Sequence, residues 1–245
     1  FAWKSLDIAE RLQTLILVLI DLDLGMNHWM GRRFDYPDRP IDRGKILWED
    51  DLDKILEKTE GKWGRYLDID NDGIPYRTVP GNTNPRSAYF ARGTGHDEFA
   101  RYSEEPDVWE RTMDRIAKKM ETAVSLLPGP VIQKSEKDAR IGLIAFGTTD
   151  DAINEARYIL EEKGYLTDYL RVRSIPFDAT IREFIQDHER VYVVEINRDG
   201  QMKQLLTLEA PDLAHHLKLI AHVDGLPLTA QYIVDHFIGQ EEKSI

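Results

Sequence analysis

From Arg140 onward, short apolar runs alternate with amphipathic segments of helical spacing, and that alternation limits the fold more than any other feature of the sequence. The apolar run Ile141–Phe146 reads as a strand, followed by a helix over Asp150–Lys163 with Gly164 as its stop. A strand over Thr167–Arg173 leads to a helix near Ala179–Gln186, and a strand over Arg190–Ile196 leads to a helix over Gly200–Leu208. A last strand, Leu217–His222, precedes a helix over Leu228–Phe237. Strands that are apolar on both faces and separated by helices belong to a parallel sheet covered on both sides. The fold class is therefore α/β.

The upstream half is less regular. Ala2–Leu12 has helical spacing, and Leu15–Asp21 reads as a buried strand that ends in a turn at Gly25. One such strand makes no sheet, so its neighbours are expected from residues upstream or from another chain. We therefore read the sequence as the C-terminal portion of a longer polypeptide. Residues 31–105 are broken by prolines, with a helix expected over Trp48–Lys58 and a strand around Ser87–Ala91. From Pro106 to about Leu127, Trp109, Met113, Ile116, Met120, Ala123, Val124 and Leu127 follow helical spacing. Pro128, Gly129 and Pro130 stop this helix, and the charged run QKSEKDA reads as a linker.

Composition narrows the partners. A formal net charge of −12 argues against general binding to nucleic acid or to an anionic membrane. With no cysteine, the sequence offers no disulfide, no thiolate nucleophile and no cysteine-ligated iron–sulfur cluster. The longest apolar run, Leu15–Ile20, is far short of a membrane span, and no signal peptide is expected. A cytoplasmic protein is the expectation.

The segment Pro75–Glu105 points hardest at function. It is long and proline-broken, yet it carries Tyr76, Tyr89, Phe90, Phe99 and Tyr102, too many aromatics for a disordered linker. Arg77, Arg86, Arg92 and Arg101 lie within it, and a guanidinium fork suits a carboxylate or phosphate. Gly93 and Gly95 on either side of Thr94 let backbone approach a ligand closely. The competing reading pairs these arginines with Asp97, Glu98, Glu104 and Glu105 nearby.

Other motifs read as structure. Gly147-Thr148-Thr149 is either a helix start capped by threonine or a weak anion cradle. The run Glu195–Gln201 falls at the carboxyl edge of the sheet, where ligands gather in open α/β folds, but packing against another domain fits it as well. Asp68–Gly73, DIDNDG, imitates a calcium loop, but Val79 stands where the bidentate glutamate belongs, so an exposed acidic turn is expected. His96-Asp97-Glu98 lacks further ligands at helical spacing, and His215-His216 reads as a solvated pair. We expect no metal site.

Several blocks together resemble a known family. DLDLGMN (Asp21–Asn27), GIPYRTVPG (Gly73–Gly81), YFARGTGHDEFARYSEEP (Tyr89–Pro106) and MDRIAKKMETA (Met113–Ala123) are similar in order and spacing to the alpha subunit of 2-oxoacid:ferredoxin oxidoreductases, most of all the 2-oxoglutarate type. VYVVEINRDGQM (Val191–Met202) and HVDGLPLT (His222–Thr229) extend the likeness over essentially the whole chain. The resemblance implies three regions. Residues 1–35 would end a pyrimidine-type thiamine-diphosphate domain, residues 36–130 would form an ordered substrate-side loop region with a connecting helix, and residues 131–245 would form a transketolase C-terminal-like parallel β/α domain.

The implied activity is oxidative decarboxylation of a 2-oxoacid, 2-oxoglutarate favoured, to an acyl-coenzyme A, with electrons passed to ferredoxin. Thiamine diphosphate and Mg2+ would be shared with or held by a beta subunit that also carries the iron–sulfur cluster, making the enzyme a hetero-oligomer active only with that partner. Arg77, Arg92 and Thr94 would bind substrate, Gly93, His96 and Glu98 would brace their loop, and no catalytic residue is assigned. Pyruvate or a branched-chain 2-oxoacid is the alternative substrate. A non-catalytic assembly or binding subunit on the same scaffold is the alternative role.

Overall fold

A computed structural model describes residues 1–91 and 93–244. Its helices are α1 (Ala2–Leu12), α2 (Leu22–Met26), α3 (Glu49–Lys58), α4 (Pro106–Val124), α5 (Thr149–Glu162), α6 (Ala179–Asp187), α7 (Gln201–Glu209) and α8 (Ala230–Glu241). Its strands are β1 (Val131–Gln133), β2 (Ile141–Phe146), β3 (Thr167–Val172), β4 (Arg190–Glu195) and β5 (Leu217–Ala221). The chain divides into two compact units. One joins Phe1–Val18 to Arg33–Leu126, and the other joins Leu19–Arg32 to Leu127–Ile245.

The β/α unit is built on one sheet in the order β1-β3-β2-β4-β5. β2, β3, β4 and β5 run parallel, and β1 adds antiparallel to β3 with Val131 opposite Arg171. Strand periodicity sorts the core into two layers. Leu143, Ala145, Tyr169, Tyr192 and Val194 point to one face, against Ile153, Ala156 and Leu160 of α5 and Ile233, Val234 and Phe237 of α8. Ile144, Leu170, Val191 and Val193 point to the other, against Ile181, Phe184 and Ile185 of α6 and Met202 and Leu206 of α7. Burial on both faces explains why β2 reads as the apolar run Ile141–Phe146.

The first unit has a smaller core. α3 buries Leu52 and Leu56 beside Leu47, with Trp63 and Tyr76 packed on them. Its first turn carries Glu49, Asp50 and Asp51, which suit the positive end of the helix. In α4, Ala123 is buried, but Trp109 and Met113 remain 60% and 48% exposed, so the predicted apolar stripe is covered only toward its C-terminal end. No described helix is long and apolar enough to cross a membrane.

Two expected strands are absent. Residues 15–21 form no strand, and Leu15, Leu17, Leu19 and Ile20 are exposed. A strand needs a ladder partner, and the five-stranded sheet does not pair with this run. The turn expected at Gly25 is instead the short helix α2, started by the Asp21 carboxylate, which accepts from the Leu24 amide at 3.0 Å. Residues 87–91 also form no strand, because the chain enters them from an Asn84–Ser87 turn and the Ser87 carbonyl is taken by the Thr78 hydroxyl. The linker reading missed β1, a strand too short to show periodicity.

Leu160 is fully buried between α5 and the sheet. Leu160→Ala is expected to lower unfolding free energy by about 2–5 kcal/mol, the range for a buried leucine that leaves a cavity. Urea denaturation of the variant checks this; a loss below about 1 kcal/mol would contradict the assigned core.

Candidate functional site

The arginine-rich loop is held by side chains on both of its flanks. At its start, Gly73 has φ +77 and lies so close to α4 that a Cβ would come 2.3 Å from the Lys119 nitrogen. Only glycine combines that backbone angle with that approach. The turn before it is organised by Asp68, whose carboxylate accepts from the amides of Asp72 at 3.1 Å and Gly73 at 2.8 Å. Lys45 then sits 2.8 Å from both Asp70 and Asp72. Burial lowers the Lys45 affinity for its proton, but the two carboxylates outweigh it and raise it overall. The acidic turn is thus a lysine-neutralised packing element.

Beyond Gly73 the backbone is tied in place. Gln13 donates to the Pro75 carbonyl at 2.6 Å, the Arg77 amide donates to the Lys45 carbonyl at 3.0 Å, and the Leu47 amide donates to the Arg77 carbonyl at 2.8 Å. Asn82 donates to the Leu47 carbonyl at 3.0 Å, and Asn84 donates to Asp53 at 2.9 Å. Arg86 lines a surface cleft of about 660 Å³ with Glu49, Asp53 and Glu57. From Gly95 to Ser103 the loop closes on itself: His96 bridges Tyr102, and Asp97 accepts from the amides of Phe99 and Arg101.

Of the predicted substrate residues, the described pair Arg77 and Thr94 take different partners. The Arg77 guanidinium is turned to Glu10 of α1, at 2.5 Å, and to the Arg43 carbonyl at 3.3 Å, while its Nε is buried without a hydrogen-bond partner. Burial pushes the Glu10 carboxyl up, but Arg43 and Arg77 outweigh it and hold it below the usual carboxylate range. The acid that pairs with Arg77 thus comes from α1 and not from the loop itself. Thr94 is exposed and lends its carbonyl to His96 Nδ1 at 2.8 Å. No hydrogen bond or ion pair joins Arg77 to Thr94 among the described residues. Arg92 lies outside the described residues.

Gly93 is exposed and a Cβ there would meet nothing within 4 Å. The His96 ring packs on Tyr66 with centroids 4.1 Å apart. Glu98 accepts from Arg111 of α4 at 2.9 Å, and its carbonyl accepts from the Tyr66 amide at 3.0 Å. The Arg111 bond holds the Glu98 carboxyl below its ordinary value of 4.5. His96, Asp97 and Glu98 therefore point to three different partners, and no group of metal-ligating side chains gathers among the described residues.

The carboxyl edge of the sheet is filled from within. Gly147 turns with φ +64, and the Thr148 hydroxyl donates to the Asp21 carboxylate instead of capping α5. Burial pushes the Asp21 carboxyl up, but the Thr148 hydroxyl and the Leu24 amide lead the contacts that hold it low. Glu195, fully buried, accepts from the amides of Met202 at 3.0 Å and Lys203 at 3.1 Å at the start of α7. Both helix starts thus hold a carboxylate of this chain. His215 and His216 close a 3-10 turn, with His216 Nδ1 2.6 Å from the His188 carbonyl.

One pair of cations went unremarked in the sequence: Arg115 and Lys119 are half-buried and one turn apart on α4, a spacing that places both on one face.

Glu98→Gln removes the charge on the Arg111 partner. Because the folded carboxyl lies below its unfolded value, its contribution is present above pH 4.5 and fades as pH falls through the folded value. The pair is partly exposed, so the effect is small. Thermal unfolding is expected to show the variant less stable than the parent at pH 7 and indistinguishable from it near pH 3; a constant gap at both would contradict the assignment.

No protein-family model matches the chain. It is 28% identical over 236 residues, 93% of its length, to "2-oxoacid:ferredoxin oxidoreductase 2, subunit alpha" of Aeropyrum pernix. That match spans 34% of the relative, so the chain covers about a third of the curated protein. A solved structure of 2-oxoglutarate:ferredoxin oxidoreductase from Magnetococcus marinus, with 2-oxoglutarate, coenzyme A and succinyl-CoA bound, matches 74% of the chain and 31% of its own. Its TM-score is 0.63 at 22% identity, which shows a shared fold. The chain is similar along nearly its whole length to part of a 2-oxoacid:ferredoxin oxidoreductase alpha subunit, the resemblance its sequence blocks carry.

Proposed function

We propose that this chain forms part of the alpha subunit of a 2-oxoacid:ferredoxin oxidoreductase that acts on 2-oxoglutarate. The observation that carries the reading is the similarity to a curated alpha subunit over 93% of the chain. In this reading the enzyme converts the 2-oxoacid and coenzyme A to acyl-coenzyme A and carbon dioxide, and passes electrons to ferredoxin. It works in the cytoplasm as a hetero-oligomer with a beta subunit. The 2-oxoglutarate preference is supported by the shared fold with the Magnetococcus marinus protein and by the sequence blocks around the loop.

Thiamine diphosphate supplies the electron sink that makes decarboxylation possible. The residues present do not assemble a diphosphate–magnesium site: metal-ligating side chains do not gather among the described residues, and a cysteine-free chain has no thiolate for a cluster. The reading therefore gives the cofactor's metal end and the iron–sulfur cluster to the beta subunit. This chain's share is the loop. Arg77, held by Glu10, fixes the loop's entry and shapes the pocket wall. Arg92 and Thr94 hold the substrate carboxylate, and Gly93, His96 and Glu98 keep that stretch in place.

Replacing Arg92 by glutamine in the intact enzyme tests this. Loss of one charge-assisted contact is expected to remove roughly 2–4 kcal/mol of transition-state stabilisation from kcat/KM for 2-oxoglutarate. Thr94→Ala is expected to act in the same direction and less strongly. Steady-state kinetics with both variants unchanged would overturn the residue roles.

A further inference from the structure

Asp68–Gly73 begins as a calcium loop does, with Asp68, Asp70 and Asp72 at its first, third and fifth positions and glycine at the sixth. The backbone follows that pattern. Gly73 takes φ +77, and the Asp68 carboxylate accepts from the amides of Asp72 and Gly73. In such a loop the seventh residue offers its backbone carbonyl to the ion, and here that residue is Ile74.

A cation already stands where the third, fifth and seventh positions meet. Lys45, 27 residues before Asp72, brings its Nζ to 2.8 Å from Asp70, 2.8 Å from both carboxylate oxygens of Asp72 and 3.0 Å from the Ile74 carbonyl. The three protons of an ammonium are satisfied by these acceptors, whereas Ca2+ takes about six to eight oxygens. The remaining ligands of a calcium loop are missing. Val79 stands at the twelfth position in place of the bidentate glutamate, and Tyr76, at the ninth, lays its ring 5.0 Å from the ammonium. The cradle is short of oxygens for a metal ion and complete for a lysine.

We propose that Asp70, Asp72 and the Ile74 carbonyl form a cation site of the calcium-loop type whose resident cation is the Lys45 ammonium, and that this site takes up a divalent cation once the ammonium is removed. Two carboxylates that converge on one point repel each other unless a cation stands between them. Here the chain supplies that cation itself, so the turn that seats Gly73 on α4 closes without metal. Lys45 also accepts the Arg77 amide on its carbonyl at 3.0 Å, so its two ends hold the acidic turn and the start of the arginine loop. The site is independent of the substrate reading of Arg77, Arg92 and Thr94.

Thermal unfolding of the intact protein and of its Lys45→Met variant, in about 10 mM calcium chloride and in sodium chloride of equal ionic strength, tests the proposal. Lys45→Met is expected to melt below the parent, and calcium to raise its melting temperature by about 3 °C or more while leaving the parent unmoved. Lys54→Met, which loses only an exposed pair with Asp51, is expected to show no response to calcium. Adding Asp70→Asn to Lys45→Met should abolish the response. Terbium reports the same site by light, because the Tyr76 ring lies close enough to sensitise its emission, which is expected from Lys45→Met above the level of the parent. If Lys45→Met does not fold in sodium chloride, calcium is expected to recover folded protein, and no recovery overturns the proposal. It is equally overturned if calcium stabilises the parent as much as the variant, or if the variant gains neither stability from calcium nor emission from terbium.

Discussion

The close seat of Gly73 on α4 governs the arrangement of the first unit. With φ +77 and a would-be Cβ 2.3 Å from the Lys119 nitrogen, the turn can lie directly on the helix backbone. That contact lets the Asp72 carbonyl take the Thr122 hydroxyl at 2.7 Å and the Gly73 carbonyl take Arg115 at 3.0 Å. The buried Ile74 and Pro75 follow, and the Pro75 carbonyl meets Gln13 just beyond α1. A single backbone approach thus ties α1, the Lys45–Leu47 segment, α4 and the start of the arginine loop together.

The second unit keeps carboxylates of its own at the carboxyl edge of its sheet. The edge of a parallel sheet where strands end is the usual place for ligands. Here Asp21 occupies the Thr148 hydroxyl and Glu195 caps α7, so carboxylates from this chain fill the helix starts that an external anion would use. Two buried tyrosines on the same sheet are similarly engaged, Tyr169 with Asp150 at 2.8 Å and Tyr192 with Glu241 at 2.5 Å.

The β/α unit was legible because β2, β3 and β4 are buried on both faces and the helices carry apolar stripes; bounds shifted by a few residues at most, as with α8, which runs Ala230–Glu241. β1 was not, since three residues at a sheet edge carry no periodic signal. The apolar run at residues 15–21 showed its hydrophobicity but not its state, because strand formation depends on a partner that the sequence of the run does not contain. At the site, Arg77 pairs with Glu10 across 67 positions of sequence, a contact that local composition cannot reveal.

The proposed role in 2-oxoacid oxidation is tested most directly by reconstitution. The intact protein carrying this chain, combined with an iron–sulfur-bearing beta subunit, is assayed for reduction of a low-potential dye with 2-oxoglutarate, pyruvate or a branched-chain 2-oxoacid. The account predicts reduction that requires coenzyme A and is fastest with 2-oxoglutarate. Reduction that favours pyruvate would contradict the assigned substrate, and an assembled complex that reduces the dye with none of the three would contradict the enzymatic reading itself.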